Sequence, residues 1–343
     1  MTTLLAGDIG GTKTLLALYR IGPQNTLTLL ENERYLSAEW CDLAPMVQAF
    51  LAEHSSKAAG DPPAAACFAV AGPVRGGRAQ LTNLPWKLEG AALAEATGIP
   101  SVDLVNDFAV LIYGIPHLGV ERQASIRSGQ PDAAEPLLVL GAGTGLGVAF
   151  GVPTESGLQA VPSEAAHGEF APRDQREWAL KQWLAEDQRL ERVSIERVVS
   201  GTGLGHVARW LLSTRDGLHG HPLTAVRLAW ENGEQTADLP AAVAKAALEG
   251  EPLAGEALEL WLGAYGSVCG DLALAGLSRG GIWLAGGTAS KLLPELRRSV
   301  FVDAFLGKGR LRSVLESIPI TAVVDPAIGP FSAACRARML LMA

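Results

Sequence analysis

The sequence predicts an α/β protein of two domains, with a mixed sheet and helices packed on it, and three observations carry that expectation. An apolar run breaks into a glycine-rich turn and resumes as a second apolar run at residues 4–19, LLAGDIGGTKTLLALY, and again at 136–151, PLLVLGAGTGLGVAFG. That pattern reads as strand, tight turn, strand. Further strand-like runs alternate with helical periodicity, an order that gives a sheet covered by helices. At 343 residues, with 48% hydrophobic and 19% charged residues, the chain is long enough for two lobes with sizeable cores.

Taken in order, residues 4–6 and 15–19 flank Gly7, Asp8, Ile9, Gly10, Gly11 and Thr12. Residues 27–35 mix apolar and polar side chains like another strand, and Leu43, Met46, Val47, Phe50 and Leu51 then recur at helical spacing over 43–57. A strand at 66–71 follows the Asp61-Pro62-Pro63 break. The stretch from Gly72 to Trp86 is turn-rich, and Asn83 reads first as a turn residue within it. A short helix at 90–97 leads to a buried strand at 102–105 and then to Asn106-Asp107-Phe108, where the apolar stretch 108–115 looks like a helix starting. An acid between a strand's carboxyl end and a helix stands where α/β sheets place ligands, but it is equally suited to capping the helix.

Residues 127–136 are polar, with two prolines, and read as a surface loop before the central hairpin. In SEAAHGEF, Glu164 and His167 stand three apart with small residues between, so both can face one pocket or form a surface pair. A helix begins at 178–184. Ser200 to Gly205, SGTGLG, reads as a third glycine-rich turn before the helix at 207–212, and the HGH at 219–221 as an exposed loop. The longest helical pattern runs from Leu253 to Leu277. Residues 281–285 form a strand that ends in Gly286-Gly287-Thr288 before a helix at 291–298, a shape that lets a nucleotide lie against bare backbone. A strand at 320–324 and a helix at 330–342 close the chain.

Composition narrows the function. The net charge is −8, and no run of Lys or Arg stands out, which argues against nucleic acid and anionic membranes as partners. The four cysteines show no CxxC spacing, so neither zinc nor a disulfide framework is expected. With no basic n-region, no signal-length apolar run and no stretch of roughly 18 apolar residues, the expected compartment is the cytoplasm. Two matched glycine turns, each with a hydroxyl at Thr12 or Thr144, are suited to gripping one polyphosphate through backbone N–H groups, though each alone reads as an ordinary hairpin turn. Neither familiar nucleotide motif fits. Thr12 stands where Walker A needs its last glycine, and a strand rather than a helix follows; Leu146 takes the place of the third glycine of a Rossmann fingerprint.

The ordered set GDIGGTKT, NDF, GAGTGLG, SEAAHGEF, IERVVSGTGL and GGIWLAGGT resembles bacterial glucokinase of the hexokinase/actin-like ATPase superfamily, over essentially the whole chain. The resemblance implies a two-lobed actin-like ATPase (ribonuclease H-like) fold with a mixed sheet in each lobe and a central cleft. Residues 1–117 with 326–343 would form the small lobe and 118–325 the large one. It implies glucokinase activity, with the γ-phosphoryl of ATP passing to the C6 hydroxyl of glucose, in a cytoplasmic homodimer. Gly7, Asp8, Ile9, Gly10, Gly11 and Thr12 would be the first phosphate loop, Gly141, Gly143 and Thr144 the second, and Gly286-Gly287 the adenosine motif. Asp107 matches the catalytic base. Asn106, Glu164, His167 and Glu196 match glucose ligands, and Asn83 and Asp107 complete the candidate sugar set. Asp8 beside phosphates makes sense with Mg2+ between them, held through water. Two departures accompany the resemblance. Ala165-Ala166 replace the family's usual glycines, and the cysteine cluster of the zinc-containing branch is missing, which points to the zinc-free branch. A kinase for another hexose or an N-acetylated amino sugar, and a non-catalytic sensor on the same fold, are the competing expectations.

Overall fold

The computed structural model describes residues 2–57, 62–81, 84–215, 218 and 220–342. Two compact units emerge, one of residues 1–122, 151–162 and 325–343, the other of 123–150 and 163–324.

The first unit is built on β1 (Thr3–Ile9), β2 (Lys13–Ile21), β3 (Leu27–Leu36), β4 (Ala65–Val70) and β5 (Val102–Asn106), in the order β3-β2-β1-β4-β5. β1 runs antiparallel to β2 and parallel to β4, and β4 runs parallel to β5. The two central strands are buried almost throughout, because both their faces are covered and their side chains are nearly all apolar. β3 carries Glu31, Glu33 and Arg34 along the edge, the sort of charge that keeps an exposed edge from pairing further. Helix Leu43–Glu53 starts where the Asp42 side chain accepts from Leu43 N at 2.7 Å, and it buries Leu43, Met46, Val47 and Phe50 at three- and four-residue steps. Helix Ile328–Met339 packs on β1, β4 and the short helix Leu111–Gly114.

The turn-rich stretch after Gly72 departs from the expected loop: it forms a small antiparallel sheet of Val74–Arg75, Arg78–Gln80 and Lys87–Glu89. Gly76 and Gly77 take φ of 57° and 70°, the left-handed pair that a two-residue hairpin turn requires. The helix expected from residue 108 also differs. The Asn106 side chain takes the Phe108 and Ala109 N–H groups, the chain turns through Val110, and only Leu111–Gly114 is helical before Pro116 ends it within Ile115–His117.

The second sheet uses β6 (Gln123–Arg127), β7 (Leu137–Ala142), β8 (Leu146–Thr154), β9 (Gly157–Ser163), β10 (Gly281–Ala285) and β11 (Ile320–Val323), in the order β9-β8-β7-β10-β11-β6. β7, β10 and β11 are parallel, and β6 joins the edge antiparallel. Helix Pro252–Ala275 supplies Leu258, Trp261, Tyr265 and Val268 to the second unit's core. SGTGLG is the first turn of helix Gly201–Thr214 rather than a separate turn, because Ser200 Oγ accepts from Gly203 N at 2.9 Å and caps it. The helix after Gly286 begins at once, as Gly287–Lys291 and then Leu293–Leu296. Strands β6 and β9 and helices Pro222–Glu231, Leu239–Leu248 and Ser299–Leu306 lie outside the sequence reading. Of the HGH stretch, His219 lies outside the described residues, while His221 caps helix Pro222–Glu231 and meets Glu251 Oε1 at 3.1 Å.

Candidate active site

In the first unit the chain leaves β1 at Ile9, turns through Gly10, Gly11 and Thr12, and returns as β2. Gly10 N donates to Lys13 O at 3.1 Å, and Ser37 pins the turn: its N–H donates to Thr12 O and its hydroxyl to Gly10 O, both at 3.0 Å. Sequence reasoning missed Ser37, which no motif marks. Gly7 is buried inside β1, where a Cβ would stand 2.5 Å from Phe68 Cδ1, so close packing explains that glycine. Ile9 is fully buried, whereas Asp8 is partly open and Thr12 exposed. Burial pushes the Asp8 carboxyl above its ordinary value, against a smaller pull from Arg34.

Asp107 follows β5 directly, and its N–H donates to Val70 O at 2.9 Å. Asn106 is the main cap: its Oδ1 accepts from Phe108 N and Ala109 N at 3.1 and 3.0 Å, and the Asp107 carboxylate shares only the Phe108 N–H. The Asn106 amide donates to Gly72 O at 3.0 Å and to Asp107 Oδ1 at 3.1 Å, so it orients the acid as well. Burial, and then the Asp8 charge, push the Asp107 pKa up to about 6; hydrogen bonds from the Phe108 and Asp107 N–H groups and from Asn106 oppose the rise. By area Asp107 is an exposed residue. Its desolvation therefore comes from protein mass around an open carboxyl, which leaves the group reachable by a ligand. Two acids that each resist ionising fit a divalent cation nearby, since a cation would favour both carboxylates.

The second unit carries the matching turn. Gly141 and Ala142 end β7, and Gly143, Thr144 and Gly145 lead into β8. Gly143 O accepts from Gly201 N and Thr144 O from Thr202 Oγ1, both at 2.7 Å, so the turn is tied to the start of helix Gly201–Thr214. Thr288 Oγ1 donates to Ala142 O at 2.5 Å, which ties it to the Gly286-Gly287 segment too. Gly286 has φ of 84°, a conformation that disfavours any side chain, and nothing lies within 4 Å of a Cβ placed on Gly143 or Gly287. These three segments wall one pocket of about 850 Å3, within the size range of ligand sites. Its far wall includes Trp230, Asp238, Lys245 and Lys291. Sequence reasoning missed Trp230, Asp238 and Lys245, which come from helices it did not recognise or from their flanks, while Lys291 belongs to the helical stretch it did read after Gly286-Gly287; SGTGLG was the available signal.

Glu164 and His167 also lie in the second unit, around the 3-10 turn Ala165–His167, with Glu164 Oε2 3.5 Å from His167 Nε2 and both side chains open. Neither Ala165 nor Ala166 has a positive φ, so alanine fits where the family uses glycine. The turn adjoins helix Ile195–Val198 through Ile195 N donating to Gly168 O at 2.9 Å, and Glu196 belongs to that helix. Glu196 Oε2 accepts from Leu146 N at 2.9 Å, and a Cβ on Gly145 would stand 2.4 Å from it, so Glu196 buttresses the second glycine turn. Asn83 lies outside the described residues. The structure thus brings together Asp8, Asn106 and Asp107 in one unit, and Gly143, Thr144, Gly286, Gly287, Glu196, Glu164 and His167 on adjoining segments of the other.

Comparison with known proteins agrees in kind. The glucokinase family model matches residues 5–340. A glucokinase of Synechocystis is 43% identical over 348 residues, covering 97% of this chain and 98% of its own length. One of Trichormus variabilis is 40% identical over 345 residues, covering 99% and 100%. Among solved structures, a glucokinase from an Antarctic psychrotroph aligns with a TM-score of 0.81 at 27% identity, covering 98% and 99%.

Proposed function

This chain belongs to the glucokinase family, and from that premise we propose that Asp107 is the base that primes the sugar hydroxyl while two glycine loops hold the triphosphate of ATP. The activity is ATP-dependent phosphorylation of glucose at C6, giving glucose 6-phosphate and ADP. The fold is that of the actin-like sugar kinases.

The assignment of roles rests on one observation above the others, the open carboxyl of Asp107 with its pKa raised to about 6. A general base works best when its pKa lies near the operating pH, and a well-placed one is worth roughly 10²- to 10⁴-fold. Asp107 accepts the proton of the C6 hydroxyl as that oxygen attacks the γ-phosphorus in line. Phosphoryl transfer otherwise demands positioning and charge compensation, which the N–H groups of Gly11 and Thr12 and of Thr144 and Gly145 supply, those of Gly10 and Gly143 being bonded within the turns themselves. Asp8 would hold Mg2+, and the ion would supply charge compensation for the phosphates. The adenosine lies against the Gly286-Gly287 segment, where the space beside Gly287 is open.

Glucose is held by Asn106, Glu164, His167 and Glu196, with Asn83 as a further contact. Such a polar set discriminates strongly, because a missing hydroxyl leaves a site group unpaired. Four free thiols, Cys41, Cys67, Cys269 and Cys335, fit a cytoplasmic protein, and a homodimer, checked by sedimentation, completes the reading. The deciding experiment is a coupled assay for glucose 6-phosphate, with glucose and MgATP, on the wild-type protein and Asp107→Ala. Wild type should turn over and the variant should not, with glucose binding kept within about tenfold. A variant that turned over near-normally would remove Asp107 as the base.

A further inference from the structure

The first unit holds a second cavity, of about 730 Å3, lined by no residue of the phosphate loops or of the sugar set. In its wall lies Arg338, in the last turn of helix Ile328–Met339 and only 7% exposed. Arg338 donates to the backbone O of Asn25, and its Nη2 lies 2.8 Å from His117 Nε2. A guanidinium has no acceptor, so His117 meets it with a lone pair and stays neutral. Burial first, and the Arg338 charge second, hold the His117 pKa below its ordinary value. Both acceptors of this buried cation are therefore uncharged, and among the described residues it forms no ion pair. A buried charge without a counter-charge is unfavourable, and an anion in the cavity would relieve it.

Two further features of the wall bear on what it would hold. Arg122 lines the same cavity, stacked 5.3 Å from the Phe331 ring centroid, and is already paired at 3.3 Å each with Asp325 and with Glu121, which also lines the cavity. On the opposite chain segment Gln24 and Asn25, neither of them glycine, take consecutive φ values of 56° and 60°. They are the central pair of the tight turn that joins β2 to β3, closed by Thr26 N donating to Pro23 O at 3.2 Å, and Arg338 holds that turn by the Asn25 carbonyl.

We propose that this cavity binds a small organic phosphate, its phosphate group facing Arg338 and Arg122 and its carbon portion lying on Leu27, Leu158, Phe331 and Met339. Phosphate suits the site better than carboxylate, because a monoester near neutral pH carries close to two charges and offers three acceptor oxygens to the guanidinium N–H groups left over from the Asn25, His117, Glu121 and Asp325 contacts. The cavity is also far larger than a bare ion needs, and its remaining walls are partly apolar.

The test is calorimetric titration of the full chain with glycerol 3-phosphate, which is neither substrate nor product of the kinase reaction, with thermal melts run in parallel. Wild type should bind and melt higher. Arg338→Gln and Arg122→Gln should each weaken binding at least roughly tenfold. Ser156→Glu places a carboxylate in the cavity wall without touching either arginine, and should weaken binding as much, which keeps the test open if Arg338→Gln does not fold. Inorganic phosphate should bind roughly tenfold more weakly than the ester, since it leaves the apolar wall uncovered. No binding by wild type, undiminished binding in the variants, or equal affinity for the two probes would overturn the proposal.

Discussion

In the first sheet, residues 3–21 turn through Gly10 to Thr12 and the strands are ordered β3-β2-β1-β4-β5; in the second sheet, residues 137–154 turn through Gly143 to Gly145 and the strands are ordered β9-β8-β7-β10-β11, the same order, with β6 added at the edge. The turns look alike in sequence and are used differently. Gly7 and Gly10 are needed where protein packs close, with Cβ positions 2.5 Å from Phe68 and 2.9 Å from Lys13 O, whereas Gly143 and Gly287 face empty space beside a pocket of about 850 Å3. The first turn stands with a pair of acids whose pKa values are raised, and Glu196 braces the second through a backbone N–H. One topology, used twice, carries a pair of raised acids with one sheet and an open pocket beside the turn of the other.

The sharpest break of that comparison is Asp107→Ala, expected to lower kcat by roughly 10²- to 10⁴-fold with little change in the KM for ATP. A large rise in that KM would place the acid with the donor site. On the other side, Gly201→Ala puts a Cβ 2.7 Å from Gly143 O, against backbone that cannot swing aside. Displacing a reacting group by about 1 Å costs on the order of 10²-fold, so kcat/KM for ATP should fall by about that factor while glucose affinity, measured by intrinsic fluorescence or calorimetry, holds. Glu164→Gln should raise the KM for glucose roughly tenfold at nearly constant kcat; an unchanged KM would make the Glu164–His167 pair a surface feature.

Most of the scaffold was legible beforehand. Helix Gly90–Thr97 and strand Gly281–Ala285 fall where periodicity and glycine placed them, because their signals are local. Helices Leu239–Leu248 and Pro222–Glu231 were not legible: each bears a proline in its first turn, which reads as a break, and buries only one or two side chains. With them went part of the lining of the pocket of about 850 Å3. Asp107 stood out by its place after a strand, but that Asn106 is the main cap depends on its side-chain bonds, which no spacing reveals.

The smallest effect concerns stability. The folded pKa of Asp107 lies above its ordinary 3.8, so the folded state holds the proton more tightly. Its contribution is fully present below about pH 4 and is lost as pH rises through about 6. Asp107→Asn should therefore stabilise the protein at pH 8 by about 1 kcal/mol at most, after allowance for the open position of the group, and by nothing at pH 3.5, as read by denaturant melts.

A carboxyl carbon-13 titration of Asp107, in the wild-type protein and in Asp8→Asn, tests the division of labour most directly. The raised acid pair requires a midpoint near 6 in wild type and a lower one once the neighbouring charge is gone. Midpoints near 4 in both proteins would contradict it.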